Sequence, residues 1–573
     1  MQLLKKYLIH YPVEVILAPL FKMLEALMDL FVPLIIAHLL NQSMDAILFP
    51  SIACLIALSF LGFGFSAIAQ YFSAKASSSI AKEIREELFH HIQTLSFSQL
   101  DQLGENKLIT HLTNDISILQ NALNLALRLL LRSPFIVFGS ILMSYFIHPK
   151  EALFFSFVIP ILFLIVFTIM FITLPLYQQV QSSLEKVTQQ SRESLHGIRV
   201  IRAFHKERFF STLFQRANTT WRKLSEKVGV IASLMNPLTY LAINLAAIGL
   251  IYTGAIEIQQ GSMQQGDLVA LYNYSAQVLV ELIKLASLLV TINRGLASSK
   301  RIQETLDVKS TLTFPSHTIS TTTQSELEFK NVSFHYPSHQ VNSIQHISFH
   351  LYKGQSLGIL GGTGSGKSTL LQLIPRFYDI QEGEILLNGI PVQQYPQSQL
   401  MNKFGIALQK ATLFEGSIKE NLLYRHKTAS EEELWKALEI AQAKEFVQDK
   451  EGQLDFHLEQ KGRNLSGGQK QRLCIARALV QNTEFLLLDD VSSALDLATE
   501  ARLRKSLQKL KNTTKIIVSQ RISFLKHCDQ ILVLDKGNQV GLGSHEELLA
   551  HCPIYQEIYA SQYQEKGGSY ESL

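Results

Sequence analysis

Over its first 300 residues this chain repeats a pattern that no soluble fold can bury: one apolar stretch after another, three of them uncharged and long enough to cross a bilayer. A helix needs about 20 apolar residues to span the hydrocarbon core. Residues Ala46–Phe72, Ala152–Leu176 and Val228–Ile256 exceed that length without a single charge. Ser133–Ile147 is shorter, while Val13–Leu40 and Leu268–Ile292 are long enough but carry charged residues. The pattern predicts six transmembrane helices. It also accounts for a charged fraction of 17% and a mean hydropathy of +0.14 in a chain of 573 residues.

The loops set the expected orientation, because Lys and Arg collect on the cytoplasmic side. The connection after the fourth span holds Lys186, Arg192, Arg199, Arg202, Lys206, Arg208, Arg216, Arg222, Lys223 and Lys227. The loops near Asn41–Asp45 and Glu257–Asp267 hold neither Lys nor Arg. Both termini are therefore expected in the cytoplasm. The opening MQLLKKYLIHYP lacks a compact apolar region ending in a small-residue cleavage site, so the first span is expected to act as its own insertion signal.

The cytoplasmic connections Lys75–Leu125 and Tyr177–Lys227 alternate apolar and charged positions at helical spacing, with few breakers. They predict membrane helices that continue into the cytosol as levers toward the second half. Ser310–Ser325 is polar and rich in Ser and Thr, and reads as a linker. Beyond it, short β-rich runs alternate with helices, the signature of an α/β domain. The fold class is thus multidomain: a six-helix α-helical transmembrane domain over 1–309, a linker over 310–325, and an α/β domain over 326–573. A net charge of +4 with both signs interspersed gives no support to a nucleic-acid partner. Cys54, Cys474, Cys528 and Cys552 have no metal-ligand spacing and read as reduced structural thiols.

In the second half, the strand-like run Ser356–Leu360 leads into Gly361, Gly362, Thr363, Gly364, Ser365, Gly366, Lys367 and Ser368, with a helix starting near Thr369. This is the phosphate loop GxxxxGK[ST] in its required context. Its glycines let backbone N–H groups close on phosphate oxygens at a helix N-terminus. Lys367 is placed to hold the β/γ-phosphates, and the Ser368 hydroxyl to ligate Mg²⁺. Phe485–Asp490 reads as a buried strand ending in two carboxylates. Asp489 is the expected direct or outer-sphere Mg²⁺ partner, and Asp490 sits where a general base would hold the attacking water. Between these elements lies Leu465, Ser466, Gly467, Gly468 and Gln469, followed by a helical run.

LSGGQ between a phosphate loop and a carboxylate strand resembles the signature of the ATP-binding cassette family, and the resemblance covers nearly the whole chain. It implies a P-loop cassette that binds ATP and Mg²⁺ and works as half of a dimer, with Ser466–Gln469 reaching the γ-phosphate on the opposite cassette. Tyr336 matches the residue that stacks on adenine, and Gln409 the glutamine that contacts Mg²⁺ and links chemistry to the membrane domain. Ser493–Asp496 matches the loop crossing the dimer interface. Gly197–Phe204 and Leu112–Asp115 resemble intracellular loops of six-helix exporters.

Two positions depart from the family pattern. The catalytic glutamate after the Mg²⁺ aspartate is Asp490, and the switch histidine after the strand Lys515–Ser519 is Gln520. A side chain one methylene shorter misplaces the base by roughly 1 Å, which can cost about 10²-fold. A glutamine cannot take up histidine's positive charge. The site on this chain's own phosphate loop is expected to bind ATP and hydrolyse it poorly, while the intact signature serves a partner. The chain therefore resembles one subunit of the heterodimeric bacterial multidrug exporters, implying a second, non-identical half-transporter and an amphipathic small-molecule substrate in the bilayer. His457 and Glu459, upstream of the signature, stand where glutamate and glycine are more usual. Within the spans, Glu25 and Asp29 share one helical face, as do Glu281 and Lys284. They read either as a polar wall for cationic drugs or as partners of neighbouring helices. A lipid or lipopeptide flippase and an ATP-gated channel or regulatory subunit are the alternative functions.

Overall fold

A computed structural model describes residues 2–41, 44–319, 326–337 and 341–563. The chain divides into two compact units, Met1–Gln93 with Glu105–Val308, and Thr94–Gly104 with Lys309–Leu573.

The first unit is helical. Among the described residues six helices are long and apolar enough to cross a membrane: Pro12–Asn41, Leu48–Thr94, Glu105–Ile147, Ile159–His196, Glu207–Gln259 and Gln265–Leu306. Every expected span falls inside one of these or its continuation in the helices Met44–Thr94 and Pro149–His196. Phe60, Phe63, Phe138, Phe146 and Phe171 point outward and are exposed. In water such a surface would drive aggregation; against lipid it carries no penalty. Met44–Thr94 contains 51 residues, about 75 Å at 1.5 Å per residue. That is more than twice the hydrocarbon thickness, so this helix must project far beyond the bilayer.

Outside the apolar stretches, the helices bury a second, smaller core. Leu3 and Tyr7 of the helix Gln2–Leu8 pack with Ile80, Ile84, Leu88, Ile116, Leu119 and Ile302. The sequence Leu112–Asp115 lies in a π-helical turn, His111–Asp115. The wider turn aims both ends of the segment at the sixth helix. His111 Nδ1 meets Thr305 Oγ1 at 2.9 Å, and Asp115 accepts from Ser298 and Arg301. Helices here approach closely through small residues: a Cβ on Gly295 would lie 2.4 Å from that of Ala122.

The second unit is built on a ten-stranded mixed sheet. Four neighbouring strands, Phe404–Ala407, Phe485–Asp489, Thr514–Val518 and Ser356–Gly361, run parallel, and Gln530–Asp535 continues them. Their residues are almost wholly buried, as strands covered on both faces must be. The parallel register aligns Gly358 with Ile517, and Ile517 with Leu488. The strand ends thereby come together at one sheet edge. The short helix Phe97–Leu103 belongs to this unit: Phe97 stacks near Phe377 at 4.6 Å, and Tyr378 donates to Asp101 at 2.7 Å. Hydrogen-bonding to that carboxylate and burial together push the Tyr378 hydroxyl well up from its ordinary value, burial being the larger cause. Of the expected linker, 320–325 lie outside the described residues. Its first part is held down, with Arg376 donating to Thr313 and lying 4.7 Å over the Phe314 ring.

Candidate functional site

The strand Ser356–Gly361 ends in a tight turn that becomes the helix Lys367–Leu373. Gly366 caps that helix at φ +95°, a conformation only glycine adopts without strain. A Cβ there would lie 2.6 Å from the Ser343 carbonyl oxygen. The turn folds Lys367 back, so that its Nζ donates to the carbonyls of Gly361 and Gly362 at 2.8 and 2.6 Å. Burial pulls the ammonium below its ordinary value, and the charges of Asp490 and Asp489 oppose that pull.

Two neighbouring strands deliver the acids. Asp489 is the buried last residue of Phe485–Asp489 and accepts from Ser368 Oγ at 3.0 Å. Asp490 is a non-glycine residue at φ +47°, the sort of strained conformation that concentrates at functional sites. Its amide donates to Val518 at 3.0 Å, and Gln409 lines the same cavity. Burial raises both aspartates above the usual carboxylate range; Ser368 and Lys367 partly offset this at Asp489, and Lys367 and Arg521 do so at Asp490. Tyr336 is fixed on the opposite wall, its hydroxyl bonded to Thr369 and Gln372 at 3.1 and 3.3 Å and its ring edge-on to Tyr378.

These groups line one cavity of about 690 Å³, within the usual size of a small-molecule site. It gathers Tyr336, Thr363, Gly364, Gly366, Lys367, Ser368, Thr369, Gln409, Asp489, Asp490 and Gln520 from distant parts of the chain. Gly361, Gly362 and Ser365 shape the turn without lining the cavity. The expectations missed Val341, Asn342, Ser343, Val518 and Lys536, which complete the lining. The nearness of Val341–Ser343 to Tyr336 was a usable signal. Lys536, in the hairpin between Gln530–Asp535 and Asn538–Gly543, had none.

Ser466–Gln469 is not part of this cavity. Ser466 and Gly467 are exposed, and Ser466 caps the helix Gly467–Leu479 in a reciprocal box with Gln469. Among the described residues beyond its chain neighbours and its own helical turn, no heavy atom lies within 4 Å of a Cβ built on Gly467. The unusual His457 and Glu459 are accommodated by Asn464, whose side chain bonds the carbonyl of the first and the amide of the second. At the other end, Gln562 clamps the loop holding Gln520. It donates to the Gln520 carbonyl at 2.7 Å and accepts from the Ile522 amide at 2.9 Å.

The donor set fits a nucleotide with its metal. A glycine turn of backbone amides beside an ammonium suits phosphate oxygens, and a hydroxyl, an amide oxygen and a buried carboxylate suit a hard divalent cation. Ser368, Gln409 and Asp489 would hold Mg²⁺, which would neutralise phosphate charge. The loop and Lys367 would hold the phosphates of ATP, and Tyr336 would face the base.

A P-loop nucleotide domain joined to six membrane-crossing helices defines a membrane-embedded transport ATPase. The family model for the ABC transporter transmembrane region matches residues 15–282, and that for the ABC transporter matches residues 344–493. The chain is 34% identical to an uncharacterized ABC transporter ATP-binding protein of Bacillus subtilis (strain 168) over 99% of both chains. It is 31% identical to an ATP-dependent lipid A-core flippase of Desulfotalea psychrophila, over 85% of both. The solved structure of a bacterial Atm1-family ABC exporter with ATP bound superposes with a TM-score of 0.80 at 24% identity, covering 98% of this chain and 99% of that one. The chain belongs to the ABC transporter family and has the exporter fold: a multi-pass membrane domain followed by an ATP-hydrolysing cassette.

Proposed function

We propose that this chain is one half of a heterodimeric exporter that uses ATP to move amphipathic or hydrophobic compounds, multidrug substrates among them, out across the cytoplasmic membrane. In this reading 1–309 form the membrane domain, 310–325 the linker and 326–573 the cassette, with both termini in the cytoplasm. The observation that carries it is the cavity's chemistry: Asp490 and Gln520 stand where a hydrolytic cassette needs a longer carboxylate and a protonatable ring. Such a site holds ATP and turns it over slowly. The exposed Ser466–Gln469 serves the phosphate loop of a different partner chain, where most hydrolysis takes place.

Inside-out vesicles from cells producing the chain, compared with vesicles from cells lacking it, test the export reading. ATP-driven accumulation of a lipophilic dye against its gradient supports it. A passive, ATP-gated leak indicates a channel instead. The likeness to lipid A-core flippases supports a second reading, a lipid flippase, and a fluorescent phospholipid offered to the same vesicles distinguishes the two.

A further inference from the structure

The acids and bases of the spans form one connected network. Asp29 accepts from Arg132 Nη2 at 2.9 Å, Arg132 Nη1 donates to Glu281, and Glu281 accepts from Lys284 at 2.9 Å and from Ser133 at 2.7 Å. Lys22 pairs with Glu25 beside it. The charges run Asp29, Arg132, Glu281, Lys284, alternating in sign along contacts that join the first, third and sixth spans. Of the two readings of these charges, polar wall or pairing between helices, the contacts supply the pairing: each acid has a base.

Asp29, Arg132 and Glu281 lie deep. Asn41 bonds Asp267 and Gly266, so the ends of the first and sixth spans meet. From the helix ends at Asn41, Ile147 and Gln265, the residues Asp29, Arg132 and Glu281 are about 18, 22 and 24 Å along their helices. That places them within a hydrocarbon core of about 30 Å. The two inner members are nearly inaccessible, yet the side chains of both end members, Asp29 and Lys284, are 43% exposed. A half-exposed Asp29 inside the span requires water, a polar ligand or a partner helix beside it rather than lipid, while Lys284 stands at the far boundary of the core, where a long side chain reaches water.

Two further groups are unspent. Arg132, only 8% exposed, has an Nε with no hydrogen-bond partner among the described residues, and so has the buried Oε1 of Gln277. Both flank Asp29: Arg132 through its carboxylate, Gln277 through its carbonyl at 3.4 Å. One is a donor in want of an acceptor, the other an acceptor in want of a donor.

We infer that this network is a substrate subsite for zwitterionic amphiphiles, whose cationic group is taken by Asp29 and whose anionic group by Lys284, the two exposed ends of the relay. The inference rests on the export reading above. A purely cationic ligand would add an unbalanced charge to a network whose acids and bases already match; an anionic one would add the opposite. In a medium of low polarity an uncompensated charge is the costliest outcome. A ligand carrying both charges exchanges with both ends of the relay and leaves none.

The test uses three forms of one probe in inside-out vesicles containing the transporter: an NBD-labelled long-chain amino acid as zwitterion, its methyl ester as cation, and its N-acetyl derivative as anion. The zwitterion should accumulate best with ATP. Lys284→Met should shift preference toward the cation, and Asp29→Asn toward the anion, each by about tenfold or more, the worth of one hydrogen bond to a charged group. Both residues are half-exposed ends, and the ranking in the unsubstituted protein needs no variant. Equal accumulation of the three forms, a preference for a singly charged form, or variants that slow all three alike would overturn the assignment and leave export intact. No ATP-driven movement of any form overturns the export reading as well.

Discussion

Glu281→Gln tests the membrane network as a structural element. In the structure Glu281 is 3% exposed and accepts from Arg132, Lys284 and Ser133. The amide keeps the shape and loses the charge, leaving Arg132 buried with the half-exposed Asp29 at 2.9 Å and the more distant Glu25 at 3.9 Å as its carboxylates. Removing one partner of a buried ion pair costs about 3–5 kcal/mol. At about 2–4 °C per kcal/mol for a domain of comparable size, the thermal midpoint falls by roughly 10 °C. The control is Glu226→Gln, which breaks an exposed pair with Arg222 at 2.7 Å; such pairs contribute at most about 0.5 kcal/mol. The assay is the fraction of monodisperse detergent-solubilised protein after heating. Adding Arg132→Gln to Glu281→Gln should recover part of the loss, because it removes the stranded charge. A shift for Glu281→Gln no larger than for Glu226→Gln would refute the reasoning.

Burial raises Asp489 and Asp490 above the ordinary value of 3.8, so the folded site keeps protons that the unfolded chain has released. Its stabilising contribution is present below pH 3.8 and is lost as pH rises through the raised values. Mg²⁺ requires the ionised acids, so Mg²⁺-dependent ATP binding should strengthen over that same rise, and Asp489→Asn should abolish the Mg²⁺ dependence in a titration with fluorescent ATP. Gly366→Ala combines positive φ with a 2.6 Å approach to Ser343 and should weaken ATP binding about tenfold or more, from roughly 1–2 kcal/mol of strain. In the assembled transporter, Ser466→Trp should remove most hydrolysis, while Lys367→Ala should weaken nucleotide retention and leave hydrolysis partly intact, as steady-state rates at saturating ATP will show. The reverse ranking would place the faster site on this chain's own phosphate loop.

The spans were legible because lipid asks only for length and apolarity, properties that lie along the chain. The phosphate loop was legible for a related reason: its turn, lysine and hydroxyl are contiguous, and the glycines at positions such as 366 are demanded by local backbone geometry. What comes from elsewhere was harder to see. Arg132 looked like the flank of a short third span, although it is the centre of the ion network, because sequence displays neighbours on one helix and hides partners on another. The four membrane charges singled out were two same-face pairs; their bridging cation was absent from that list. Phe97–Leu103 read as part of a continuous helical lever, yet its aromatic contact with Phe377 assigns it to the second unit. Lys536 reaches the cavity only because a hairpin brings it back.

The expectation for this chain's own nucleotide site, with Asp490 and Gln520 in place, is that it lacks an effective base and switch. It is tested most directly by the steady-state ATPase rate of the purified chain alone at saturating Mg²⁺-ATP, beside Asp490→Glu and the double variant Asp490→Glu with Gln520→His. The unsubstituted chain should stay near background. Asp490→Glu should raise the rate modestly, and the double variant should approach the about 10²-fold gain that correct placement of the base allows. Vigorous turnover by the unsubstituted chain, with no further gain in the double variant, would contradict the account.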